Sequence, residues 1–93
     1  MNKKASILYM PDSTYKEVEP KNKKYFILKE LQSFVDGYIE CIYLEDNMTI
    51  VVNEEGKLNK LPVNNMATKI AIENGYDDVI VGPALVCQSK LIK

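Results

Sequence analysis

Clusters of turn-forming residues divide this chain into short segments, and the pattern inside each segment constrains the fold more than any single motif. Pro11-Asp12-Ser13-Thr14, Asp36-Gly37, Glu45-Asp46-Asn47, Asn53-Glu54-Glu55-Gly56-Lys57 and Asn74-Gly75 are the cuts. Before the first cut, residues 5–10 read as a strand. Residues 15–19 alternate polar and apolar and suggest a short additional strand. Residues 20–24 introduce a helix predicted over 23–35, with Asn22 as its N-cap. Ile27, Leu28, Leu31, Phe34 and Val35 fall at helical spacing and form the expected buried stripe, with Glu30 and the other polar residues facing water. Gly37 is expected to supply a left-handed C-terminal conformation.

The segments 38–44 and 48–52 read as a hairpin around Glu45-Asp46-Asn47. Parity places Ile39, Cys41 and Tyr43 on one face, and Tyr38, Glu40, Ile42 and Leu44 on the other. The second face is apolar apart from Glu40 and the tip of Tyr38, which suggests that something covers it, a second subunit being one candidate. Gly56 is expected to allow positive φ in the following turn. Pro62 fits the first turn of a second helix over 62–73, with Met66, Ile70 and one of Ala67 or Ala71 inward. Residues 79–87 form a last strand, with Gly82-Pro83 implying a bulge or an edge position. The order is β–α–β–β–α–β, with the extra strand near 15–19 optional. It predicts one α+β domain spanning residues 1–93, with its core in about 5–87. The sheet is expected to be mostly antiparallel with two helices on one face, a ferredoxin-like arrangement or a variant of it.

Charge composition narrows the chemistry. All twelve basic residues are lysine, His, Arg and Trp are absent, and the formal net charge is −1. No broad attraction to nucleic acid or an anionic membrane is expected, and no guanidinium fork is present for bidentate phosphate recognition. The usual general base and commonest metal ligand are missing with histidine. Cys41 and Cys87 match no zinc or disulfide framework and read as buried free thiols. Met1-Asn2-Lys3-Lys4 leads into too short an apolar run for a signal peptide or a membrane span, so a cytosolic protein is expected.

Each candidate site competes with a purely structural role for the same residues. Glu54-Glu55 is a solvated turn rather than a catalytic pair, because adjacent side chains point apart. A calcium loop over 46–56 fails, because Met48 and Ile50 stand where oxygen ligands are required. Lys21, Lys23 and Lys24 read as a solvated basic face among acids. A better candidate is the second helix N-terminus, where the amides of Val63 to Asn65 carry the positive end of the dipole. With Lys57 or Lys60 they suit a phosphate or carboxylate, and Asn53, Asn64, Asn65 and Thr68 add hydrogen-bonding groups suited to a nucleotide. The competing reading makes Asn64 a cap and Lys57 solvated. On the hairpin, Tyr38 and Glu40 suggest a platform for stacking a ring and accepting its N–H groups. The binding candidates are therefore Tyr38, Glu40, Asn53, Glu54, Lys57, Asn64, Asn65 and Thr68.

Taken together, Leu31-Gln32, Val35-x-Gly37-Tyr38-Ile39-Glu40, Asn53-Glu54-Glu55-Gly56-Lys57, Leu61-Pro62-x-Asn64 and Asp78-x-Ile80-x-Gly82-Pro83 resemble one family across roughly residues 5–87. It is a small uncharacterised domain family often carried by phages, plasmids and conjugative elements of low-GC Gram-positive bacteria. The segment from Asn64 to Asp78 departs from the commoner pattern in having a longer helical stretch. The resemblance implies a stand-alone cytosolic protein of a mobile element and carries no activity. The expectation is a non-enzymatic protein without cofactor or metal that binds and blocks a host or competitor factor, counter-defence being the natural setting. The alternative is a small-molecule binder that sequesters a nucleotide-type signalling metabolite.

Overall fold

A computed structural model of the chain describes residues 5–92. The Met1–Lys4 stretch considered above lies outside them. Five strands and two helices follow in the order β1 (Ser6–Tyr9), β2 (Tyr15–Val18), α1 (Leu28–Val35), β3 (Ile39–Tyr43), β4 (Met48–Asn53), α2 (Asn65–Glu73) and β5 (Ala84–Gln88), with a short 3-10 turn at Ser89–Leu91. The extra strand near 15–19 is therefore part of the sheet. The strand order is β2-β1-β5-β4-β3, and every neighbouring pair is antiparallel.

The α+β class and the antiparallel sheet agree with the sequence, but two features of the arrangement differ. A split βαβ unit carries parallel strands joined by a crossover helix; here the last strand, β5, sits at the centre between β1 and β4. The helices also lie on opposite faces rather than on one. Ile50, Val52, Ala84 and Val86 pack with Ala67 and Ala71 of α2. Their strand neighbours Val51, Leu85 and Cys87 pack with Leu31 and Val35 of α1. Successive strand residues point to opposite faces, so the two clusters lie on the two sides of one sheet. This is why β4 and β5 are apolar at consecutive positions: both of their faces are buried.

The same geometry settles the apolar face of the hairpin. Ile42 and Leu44 belong to the cluster that contains Ala67 and Ala71, so α2 of the same chain covers that face. It needs no second subunit. The two buried alanines, at i and i+4, share the face of α2 that is turned to the sheet. Thr49, fully buried on the other side, shares a 2.6 Å hydrogen bond with the Ser89 hydroxyl. Cys41 and Cys87 are both free, and burial pushes the Cys87 thiol up to about 12.

Helix boundaries shift for local reasons. The Asn22 side chain accepts from Lys24 and Tyr25 N–H and caps a turn, not a helix. The chain then stays extended through Phe26, which bridges Ile92, and α1 begins only at Leu28. Glu30 does not simply face water. Its carboxylate accepts from the N–H of Ile27 and of Lys21, closing the helix start. With this later start Ile27 and Leu28 are exposed, and Phe26 takes the buried place instead. At the other end Asp36, with φ 60°, is the left-handed residue. Gly37 matters for a different reason: a Cβ there would lie 2.7 Å from the Asn53 Nδ2. Gly56 has no positive φ; it is buried, and a Cβ would meet Val81 Cγ2 at 2.9 Å. Residues 62–63 are extended, with Val63 bridging Val81, so α2 starts at Asn65. Gly82-Pro83 precedes β5, which begins at Ala84.

Candidate functional site

The turn after β4 joins the sheet to α2, and the side chains that looked ligand-ready there hold it together. Asn53 anchors its start. Its Oδ1 accepts from Glu55 N–H at 2.8 Å, and its Nδ2 donates to the carbonyls of Val35 and Asp36 at 3.1 and 3.3 Å. The α1 C-terminus leaves carbonyls without helical partners, and Asn53 supplies a donor to them. The Glu54 N–H bonds Tyr38 O, extending the β3–β4 ladder by one pair. The turn then closes on itself through Gly56 N–H to Asn53 O and Leu61 N–H to Gly56 O.

Asn64 anchors the other end. It is fully buried, its Oδ1 accepts from Ala67 N–H at 3.1 Å, and it is the N-cap of α2. Its Nδ2 donates to Gly82 O at 2.8 Å and to Tyr9 O at 3.0 Å. The backbone N–H of Asn64 bonds Ile80 O at 2.8 Å. Thr68 is engaged as well: its hydroxyl accepts from Ile80 N–H and donates to Ile80 O. Among the candidate polar residues at this helix start, Asn65 alone is exposed.

Lys57 forms an ion pair with Asp78, both side chains being about half exposed. The hydrogen bond to Asp78 holds the Lys57 ammonium above its ordinary pKa, and the same bond holds the Asp78 carboxyl below its own. Exposed pairs of this kind contribute little to stability, and salt screens them. Asp78 also accepts from Val79 N–H at 2.7 Å, which orients the carboxylate toward the turn.

Tyr38 and Glu40 do not form one platform. Tyr38 precedes β3 and borders an open hollow beside the α1 C-terminus, with Gln32, Asp36, Glu55 and Asn59 around it. Glu40 borders a separate cleft of about 160 Å³ on the α2 side of the sheet, with Glu54, Lys57, Tyr76 and Val79. Asn53 lines both, as the post between them. Ligand pockets for drug-sized molecules run from about 300 to 1,000 Å³, so the Glu40 cleft is small for a nucleotide. Among the described residues, no group of three or more Asp, Glu or Cys is placed to hold a metal ion. No helix among them is long and apolar enough to cross a membrane.

Sequence reasoning did not bring Tyr76, Asp78 and Val79 to the site. Asp78 is visible in the sequence only as part of a spaced motif and Tyr76 not at all, because nothing local says which turn a loop faces across a sheet end. The exposed Leu58, next to Lys57, is a further apolar residue at this site. An apolar side chain set between the polar turn residues Lys57 and Asn59 was the available signal.

The chain belongs to the family described as a domain of unknown function, DUF3846, whose profile matches residues 3–91. No curated protein and no solved structure matches it.

Proposed function

We propose that this DUF3846 chain is a non-enzymatic accessory protein of a phage or plasmid that binds a host or competitor factor and blocks it, in a counter-defence setting. The observation that carries the binding half is the pairing of a tied-down turn with exposed apolar side chains around it. Tyr38 is 66% exposed, Leu58 78% and Val79 42%; Leu58 lies within the segment that Asn53 and Asn64 pin at its ends, and Tyr38 and Val79 border it. A pre-ordered apolar surface loses little conformational freedom on association, which favours a macromolecular partner. Aromatic anchors at such positions typically dominate interface energetics. The mobile-element half rests on the motif resemblance across residues 5–87.

A nucleotide-type ligand is the weaker reading. Asn53, Asn64 and Thr68 already use their side chains within the chain, Lys57 is paired, and the cleft beside it is small. The test is capture of the partner by Tyr38→Ala combined with Leu58→Glu. Both sites are exposed, so melting should be unchanged. Capture should fall by roughly tenfold or more, equivalent to about 1.4 kcal/mol. Full capture by the folded double variant contradicts this surface.

A further inference from the structure

The two edges of the sheet differ in how they are guarded. β2, at one end, has four residues and places Lys16 and Glu17 in its middle. Charged side chains on a short edge strand deter pairing with another chain. β3, at the other end, reads Ile39-Glu40-Cys41-Ile42-Tyr43 and continues into Tyr38 and Leu44 on either side. It carries one charge, Glu40, but no lysine and no proline, and its pairing with β4 runs residue for residue without a bulge.

The hydrogen-bond phase of β3 is fixed by its ends. Tyr38 O accepts from Glu54 N–H, and Leu44 N–H donates to Met48 O. In an antiparallel ladder, bonded and non-bonded pairs alternate. Even-numbered residues therefore bond β4, while Ile39, Cys41 and Tyr43 turn their N–H and C=O groups outward along the open edge.

We propose that β3 pairs with β3 of a second copy of this chain, antiparallel and centred on Cys41, which joins two five-stranded sheets into one. This inference is independent of the function proposed above. The centring follows from the side chains. A two-fold axis at Cys41 makes Cys41–Cys41 and both Ile39–Tyr43 combinations bonded pairs, so all three outward-facing residues are used. Glu40 then lies opposite Ile42 of the second copy. Shifting the axis toward the N-terminus by one residue sets Glu40 against Glu40, which repels. Shifting it the other way leaves Ile39 beyond the paired strands. Tyr43, 73% exposed, comes to lie over Ile39 of the second copy. Pairing like edges also closes the assembly at two, whereas β3 against β2 would propagate into a filament.

A five-residue edge is a small interface of the weak, transient kind, so association in the micromolar range or weaker is expected. Amide hydrogen exchange by NMR, read at low micromolar and near-millimolar concentration, tests it directly. Protection of Ile39, Cys41 and Tyr43 amides should rise with concentration, together with a doubling of mass in sedimentation. In Cys41→Pro the lost N–H faces away from β4, so the ladder is kept while pairing is blocked. That variant should remain monomeric at every concentration. If it does not fold, the exchange pattern of the unaltered chain still decides the matter. A chain that stays monomeric with fast exchange at these three amides overturns the proposal. So does a dimer in which they exchange as in the monomer, or protection that appears only when an unrelated extended peptide is added.

Discussion

Asn64→Ala should be among the most damaging single substitutions in the chain, lowering stability by about 3–4 kcal/mol. Two losses combine. Losing the N-cap of α2 costs about 1 kcal/mol, and leaving the buried Gly82 carbonyl without its donor costs a further ~1–3 kcal/mol. The partly buried Tyr9 carbonyl adds less. For a domain of this size that corresponds to a fall in melting temperature of roughly 12–32 °C, at about 4–8 °C per kcal/mol. Thermal unfolding followed by circular dichroism measures it. Asn64→Asp separates the parts. It keeps the cap oxygen, which accepts from Ala67 N–H, but loses the amide donor and aims a carboxylate at two carbonyl oxygens. Burial there raises the aspartate pKa above its unfolded value, because the protonated form alone can donate. Stability is then retained below the unfolded carboxylate pKa and lost as pH rises through the folded one. Asn64→Asp should therefore melt higher at pH 4 than at pH 7, relative to the unaltered chain. A small, pH-independent loss would mean that Asn64 does not tie β1, α2 and the Gly82 turn together.

Phe26→Ala should cost about 3–5 kcal/mol, the usual range for deleting a buried phenylalanine. The ring is fully buried on the α1 side of the sheet, against Leu31, Val35 and Leu85, and meets Phe34 edge-on at 5.8 Å. Its backbone N–H donates to Leu91 O at 2.8 Å, and the residue bridges Ile92, so the same position moors the end of the chain. Two effects should appear together: a large fall in melting temperature and faster amide exchange at Phe26. Substituting Ile27 in the same way should change little, because that side chain is exposed. Equal effects at the two positions would show that α1 starts earlier than Leu28.

These two residues also mark what the sequence could and could not say. Strand and helix periods were visible, and so were the stops at Asp36-Gly37 and Asn74-Gly75. The opposite-face packing of the helices was encoded too, in the consecutive apolar residues Ile50-Val51-Val52 and Ala84-Leu85-Val86-Cys87. Such runs signal burial on both faces, yet alternation on β3 alone suggested one covered face and an unfilled one. Phe26 was hidden because Asn22 is a plausible helix cap by type; its partners Leu91 and Ile92, far away in sequence, hold the segment extended. Asn64 was legible as a cap, but its bonds to Tyr9 and Gly82 join residues far apart in sequence. The same limit explains Asp78 and Tyr76, which reach the Lys57 turn only after β5 inserts into the centre of the sheet.

The central claim is that the turn between β4 and α2 is locked by its own amides and presents a surface for a macromolecule. Native mass spectrometry of the protein purified from the cell in which it is naturally made tests this most directly. The expected result is a complex with a second protein at fixed stoichiometry, lost when Tyr38 and Leu58 are both replaced. A retained low-mass ligand with no protein partner would contradict it.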